Sequence, residues 1–206
     1  MHRRNLLKTA AAAAAVSVIP MRQVWAEDVP TINLDGDSIS LDKKDVHDFA
    51  NSLNGIVLKP DSAGYDIARQ IWNRYWDRKP ALIARCTNVA DVVSAVKFAR
   101  AHNLLTAVRC GGHSMSGKGM CDGGLVIDLS YMNDVQIDVK NKTASVQGGA
   151  QLGDLDRKAL PFGLGTTAGV VSHTGVGGLT LGGGMGRLQR RFGLAIDNVL
   201  GVELVT

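Results

Sequence analysis

The sequence predicts a mixed α+β protein built from α/β subdomains, and three observations predict it. Residues 61–109 read as helix, strand, helix, strand, the alternation that folds into α/β layers. Later apolar stretches are short and alternate with polar residues, as in strands and hairpins. The glycine density also changes: only Gly36, Gly55 and Gly64 precede residue 111, and the other 21 of the 24 lie from Gly111 onward.

The elements follow in order. Residues 27–60 are polar and mixed, with one short helical pattern at Val46–Leu53, and are expected as an N-terminal extension. From Asp61, the residues Ala68, Ile71, Trp72, Tyr75 and Trp76 recur at helical spacing and predict an amphipathic helix that Lys79-Pro80 ends. Ala81–Arg85 reads as a buried strand. Val89–His102 is a helix with Val92, Val93, Val96 and Ala99 on one face, and Thr87 or Asn88 is placed to cap its first turn. Thr106–Arg109 and Leu125–Leu129 are strands. Val135–Val139 and Thr143–Gln147 flank Lys140-Asn141-Lys142 and predict a hairpin. Leu152–Leu160 suits a short helix, Gly163–Gly186 a long glycine-rich stretch, and Val199–Thr206 a final strand.

Charge narrows the function classes. The chain has 206 residues, 45% of them hydrophobic, and a formal net charge of +4. Residues 1–26 hold Arg3, Arg4, Lys8 and Arg22 and no acid, so the rest balances 19 basic against 19 acidic residues. The basic excess therefore argues for no nucleic-acid partner. The same segment has a basic head, an alanine-rich apolar core and a small-residue site, the pattern of a signal peptide. Its Arg3-Arg4-Asn-Leu-Leu-Lys8 resembles the twin-arginine export signal. The expectation is cleavage after Ala26, the twin-arginine export machinery as partner, and a periplasmic or secreted product. The apolar core is too short for a membrane span, so no stable membrane anchor is expected. Cys86, Cys110 and Cys121 have no metal-site spacing with histidines, and no metal is expected.

The candidate chemistry lies in two glycine-rich loops. In Arg109-Cys110-Gly111-Gly112-His113-Ser114-Met115-Ser116-Gly117, glycine lets backbone approach a ligand closely, and successive N–H groups can form an anion-binding concavity. Gly112–Gly119 nearly fits a nucleoside-triphosphate loop. It has Gly119 in place of the metal-binding hydroxyl, and loop where a helix is required. Gly163-x-Gly165-x-x-Ala168 nominally fits a dinucleotide fingerprint but does not join a strand to a helix.

A third reading accounts for the whole series. The first loop, then Gly124-Leu-Val-Ile-Asp-Leu-Ser130, then Thr174-Gly-Val-Gly-Gly-Leu-Thr-Leu-Gly-Gly-Gly-Met-Gly-Arg-Leu188 resembles the FAD-linked oxidases of the berberine-bridge-enzyme-like group. These belong to the vanillyl-alcohol-oxidase superfamily with a PCMH-type FAD-binding domain. Ile83–Cys86, Asp91-Val-Val and Phe192–Asn198 are similar to flanking segments of the same group.

The resemblance implies an FAD-binding domain of two subdomains over residues 61–206, truncated before a substrate domain. It implies His113 as the point of covalent FAD attachment. Arg109, Cys110, Gly111, Gly112, Ser114, Met115, Gly117, Thr174, Gly175, Gly177, Gly178, Gly182, Gly183 and Gly184 are implied as further cofactor contacts. Some members add a cysteine bond at the position of Val171; Val170–Gly186 holds no cysteine, so a single covalent link is expected. His173 lies near the flavin position. The implied function is an FAD-linked oxidase or dehydrogenase that oxidises a small organic molecule of the sugar, alcohol or phenol class by hydride transfer to flavin. The alternative is a truncated, non-catalytic flavin-binding remnant. The catalytic base is expected outside this sequence.

Overall fold

The computed structural model describes residues 25–206. The twin arginines and apolar core of the expected leader lie outside the described residues.

The chain opens with an antiparallel hairpin, β1 (Val29–Ile32) and β2 (Ser38–Leu41). Asn33 closes its turn, because Oδ1 accepts the N–H groups of Asp35 and Asp37. Helix α1 (Lys43–Ser52) starts at Asp42, whose carboxylate accepts the Lys44 N–H at 2.6 Å. Next come β3 (Ile56–Leu58), the single turn α2 (Tyr65–Ala68), β4 (Leu82–Arg85), α3 (Val89–Ala101), β5 (Thr106–Arg109) and β6 (Leu125–Asp128). Strands β7 (Val135–Asp138) and β8 (Thr143–Val146) form the expected hairpin. Helices α4 (Leu152–Ala159), α5 (Val176–Leu181) and α6 (Gln189–Phe192) follow, with one-turn 3-10 segments at Leu160–Phe162 and Ile196–Asn198.

The central sheet has the order β3-β4-β6-β5; β4, β6 and β5 run parallel and β3 is an antiparallel edge. Its two central strands are apolar up to their last residues, Arg85 and Asp128, because both faces are covered. Leu82, Ala84, Leu125 and Ile127 pack with Val46, Phe49 and Ala95. Their neighbours Ile83 and Val126 face Leu58, Tyr65 and Met120 on the other side. A third, smaller core of Val135, Ala150 and Leu155 joins the β7–β8 hairpin to α4.

Residues 27–60, expected as an extension, contribute to the main core: Val29, Leu41, Val46, Phe49 and Val57 are all buried in it, and β3 completes the sheet. Trp25 belongs to the same core at 7% exposure.

Three local expectations are corrected. The helix expected after Asp61 is one turn long, and residues 69–80 continue in turns and extended chain. The Trp72 N–H donates to the Gly112 carbonyl at 2.8 Å, and Asn73 Oδ1 accepts the Tyr75 N–H, so these bonds compete with a helical ladder. Inside the glycine stretch Val176–Leu181 forms α5, where packing outweighs the poor helix propensity of Gly177 and Gly178. Val199–Thr206 is not a strand: no described strand pairs with it, and Leu200, Val202 and Leu204 are exposed.

One carboxylate joins three of these segments. Asp91, in the first turn of α3, is buried and accepts four bonds: from the N–H groups of Asn54, Gly55 and Thr87 and from the Thr87 hydroxyl, at 2.8–3.0 Å. Asn88 caps the helix beside it by accepting the Asp91 N–H. Burial pushes the Asp91 pKa up, but the bonds from Thr87, Asn54 and Gly55 outweigh it and hold the pKa below the ordinary 3.8. The group therefore adds stability that is full above pH 3.8 and lost as pH falls through the lower folded value. Asp91→Ala leaves several buried donors unpaired and is expected to cost about 2–4 kcal/mol, read as a lower urea midpoint at pH 7. The gap between variant and wild type should narrow below about pH 3.8.

Candidate functional site

Three parallel strands end in charge. Arg85, Asp128 and Arg109 close β4, β6 and β5 and stand in register, with Asp128 in the middle. Asp128 is fully buried. Its Oδ2 accepts Arg85 Nε at 3.2 Å; its Oδ1 accepts Arg109 Nη1 at 3.1 Å and the Ser130 N–H at 3.0 Å. A buried carboxylate is tolerated only when paired and hydrogen-bonded in this way. Two guanidiniums around one carboxylate leave a net positive charge at the carboxyl ends of the strands, where open α/β sheets bind ligands. Arg85 also lies over the Tyr131 ring, 4.0 Å from its centroid.

From Arg109 the chain enters the first glycine loop. There is no room for a side chain at Gly111: a Cβ would stand 2.4 Å from the Gly175 Cα. The exclusion is mutual, since a Cβ on Gly175 would lie 2.5 Å from the Gly111 nitrogen. Gly175 is bridged to Gln151, Leu152 N–H donates to the Thr174 carbonyl, and Val176 N–H donates to the Ala150 carbonyl. The second loop is thus bolted to the β7–β8–α4 unit, and the two loops meet backbone to backbone. Gln151 and Asp154 form a capping box that fixes the start of α4 beside them.

The remaining loop residues find defined places. Gly112 lies over the Arg109 guanidinium, and its carbonyl accepts the Trp72 N–H. Ser114 Oγ accepts the Gly119 N–H at 3.3 Å, folding the loop on itself. The Met115 carbonyl accepts both Asn73 Nδ2 at 2.8 Å and Trp76 Nε1 at 3.0 Å, while its side chain is exposed. Gly117 turns with φ +73° directly under the Trp76 ring. Gly177 packs on the Gly148 carbonyl and the Cys110 sulfur, whereas Gly178 faces open space. Gly182, Gly183 and Gly184 make different contacts. They end α5, and the carbonyls of Gly183 and Gly184 accept the N–H groups of Ile196 and Ala195.

His113 is half-buried beside the crossing. Its ring stacks on Trp72, with centroids 4.7 Å apart and planes 17° from parallel, and meets His173 at 5.1 Å. Burial, with a smaller contribution from His173, holds the His113 pKa below the ordinary 6.5, so the ring is neutral at pH 7. Cys86 and Cys121 are buried and free, and burial pushes their thiols up to about 12 and about 11, which keeps them protonated. Burial likewise raises the Cys110 thiol. Among the described residues no cluster of His, Cys, Asp or Glu could hold a metal, and no helix is long and apolar enough to cross a membrane.

Residues 80–206 match the family described as FAD binding domain. An FAD-linked oxidoreductase of Dictyostelium discoideum is 44% identical over 164 residues, covering 78% of this chain and 35% of that protein. Among solved structures, 6-hydroxy-D-nicotine oxidase from Arthrobacter nicotinovorans superposes with a TM-score of 0.70 at 41% identity, over 72% of this chain and 33% of that one. BBE-like 1 of Physcomitrella patens superposes with a TM-score of 0.67 at 31% identity, over 74% and 33%. This chain belongs to the FAD binding domain family, and it is similar to FAD-linked oxidoreductases and berberine-bridge-enzyme-like proteins. It spans about a third of the length of the relatives it matches.

The site of this FAD binding domain fits a dinucleotide. Among the described residues the N–H groups of Gly111, Gly112 and His113 donate to no protein acceptor. Arg109 Nε and His113 Nδ1 are buried without a partner. A cleft of about 230 Å³ runs beside the loop crossing, lined by Arg109, Gly111, Ser130, Asn133, Gly149, Gln151 and Asp154.

Sequence reasoning missed the Arg85–Asp128–Arg109 cluster, although each predicted strand visibly ends at or next to a charged residue. It also missed the clamp formed by Trp72, Asn73 and Trp76, because helical spacing gave those residues another use. Gly175→Ala is expected to separate the two loops and abolish flavin binding, seen as loss of the visible flavin absorbance from the purified protein, while far-UV circular dichroism stays close to wild type.

Proposed function

We propose that this protein binds FAD between the two glycine loops, holds it through one covalent bond to His113, and serves the oxidation of an organic substrate of the sugar, alcohol or phenol class. The observation that carries the reading is a neutral imidazole, half-buried beside the loop crossing, with Nδ1 buried and unpaired. When bound, FAD supplies the two-electron acceptor that takes hydride from the substrate.

The chain's own groups have separable tasks. Arg109 and the fixed positive charge around Asp128 attract the diphosphate. The N–H groups of Gly111 and Gly112 bind its oxygens, as backbone nests do. Gly178 leaves room for the cofactor to lie close to α5. His113, neutral at pH 7, keeps a lone pair on one ring nitrogen for bond formation. Val171, on the second loop, offers no thiol for a second bond.

Intact mass measured under denaturing conditions tests the link. Wild-type protein is expected to carry the added mass of one FAD and His113→Ala to carry none; covalent FAD on the His113→Ala protein sinks the assignment.

The proposed location is periplasmic or secreted, reached by the twin-arginine route, and it rests on the basic, acid-free residues 1–26. Arg3→Lys with Arg4→Lys is expected to keep the protein in the cytoplasm. Periplasmic recovery of that double variant at wild-type level argues against the route.

A further inference from the structure

The segment from Trp72 to Trp76 makes its long-range hydrogen bonds to one partner, the 109–117 loop. Trp72 N–H reaches the Gly112 carbonyl, and Asn73 and Trp76 share the Met115 carbonyl. Trp72 differs from a core residue: it is 53% exposed, and its ring lies flat on that of His113. An imidazole in a functional site is usually oriented by a hydrogen bond to one of its nitrogens. His113 has no such bond among the described residues, and its Nδ1 is buried without a partner. The imidazole torsion is intrinsically broad. The contacts that hold its plane are the near-parallel stack on Trp72 and the tilted approach of His173.

We propose that Trp72 is a positioning residue for His113, its indole fixing the plane in which the imidazole meets the flavin and so setting the rate of covalent attachment. This rests on His113 being the point of attachment. The bond made joins an imidazole nitrogen to the methyl carbon of the isoalloxazine ring. One methyl C–H and the imidazole N–H are broken, and the two protons and two electrons released pass to dioxygen, giving hydrogen peroxide. Trp72 takes no part in bond making; it holds a geometry. Its backbone bond to Gly112 survives any side-chain replacement, so loop placement and ring stacking can be varied separately.

The test uses the full chain, produced in a riboflavin-depleted host and mixed with FAD. Acid-stable flavin is followed over time by intact mass, non-covalent FAD affinity is measured on His113→Ala backgrounds, and every variant is checked by thermal melting. Trp72→Phe retains an aromatic face and should couple within a few-fold of wild type. Trp72→Leu and Trp72→Gln remove it and should couple about 10-fold slower or worse at saturating FAD, with affinity unchanged, because small misplacement of a reacting group is costly. Two non-aromatic variants are included so that a folding defect in one leaves the other to decide. Wild-type coupling by either folded non-aromatic variant overturns the proposal, and so does Trp72→Phe as slow as Trp72→Leu. Weaker FAD affinity with unchanged coupling at saturation makes Trp72 a binding residue and also overturns it. Acid-stable flavin on His113→Ala alone refutes the attachment site instead, so the two failures are told apart.

Discussion

The site depends on one close approach. Gly111 and Gly175 leave no space for a methyl group between their backbones, and each belongs to a different unit of the fold. Gly111 is carried by the end of β5 in the main sheet; Gly175 is tied to Gln151 and the β7–β8–α4 unit. Because backbone meets backbone, the distance between the units is set by van der Waals radii and not by adjustable side chains. Arg109, His113 and Gly178 are thereby carried to the same crossing, where the Trp72–Trp76 segment holds the His113 loop. This is why two loops distant in sequence can present one concave surface.

Electrostatics adds to the same joint. Asp128 lies between Arg85 and Arg109, each carried by a neighbouring strand, so parallel register alone brings the three together. The carboxylate is fully buried and its partners are mostly buried, so the cluster is little screened by salt. It ties the three strand ends to one another and leaves positive charge facing the glycine loop. The same three residues that tie the strand ends carry the positive charge of the proposed diphosphate site.

Much of this was legible in the sequence, for a physical reason in each case. The strands β4, β5 and β6 were plain because buried parallel strands are short apolar runs. Helix α3 was plain because its apolar face and Asn88 cap both follow simple rules. The glycine loops were plain because backbone contact admits few other residues. What escaped was decided by tertiary bonds. Trp72 and Trp76 have the spacing of a helix face, yet the Gly112 carbonyl takes the backbone N–H of Trp72 and the Met115 carbonyl takes the indole N–H of Trp76. Residues 27–60 looked polar because β1, β2 and α1 each bury only one side, as Val29, Leu41 and Phe49 show. Val199–Thr206 alternates like a strand, but pairing is a property of two segments and no described strand lies beside it.

Trp25 adds a question of timing. Its indole is already part of the main core, stacked in sequence directly against the small residue at which a leader peptidase would cut. A cut after Ala26 would leave an indole-sized hole beside α1 and β3, a loss on the scale of about 3–5 kcal/mol for deleting a buried tryptophan. On the proposed export route, cleavage after Ala26 and core packing would compete for one side chain, and the order of the two events would set which N-terminus the protein carries.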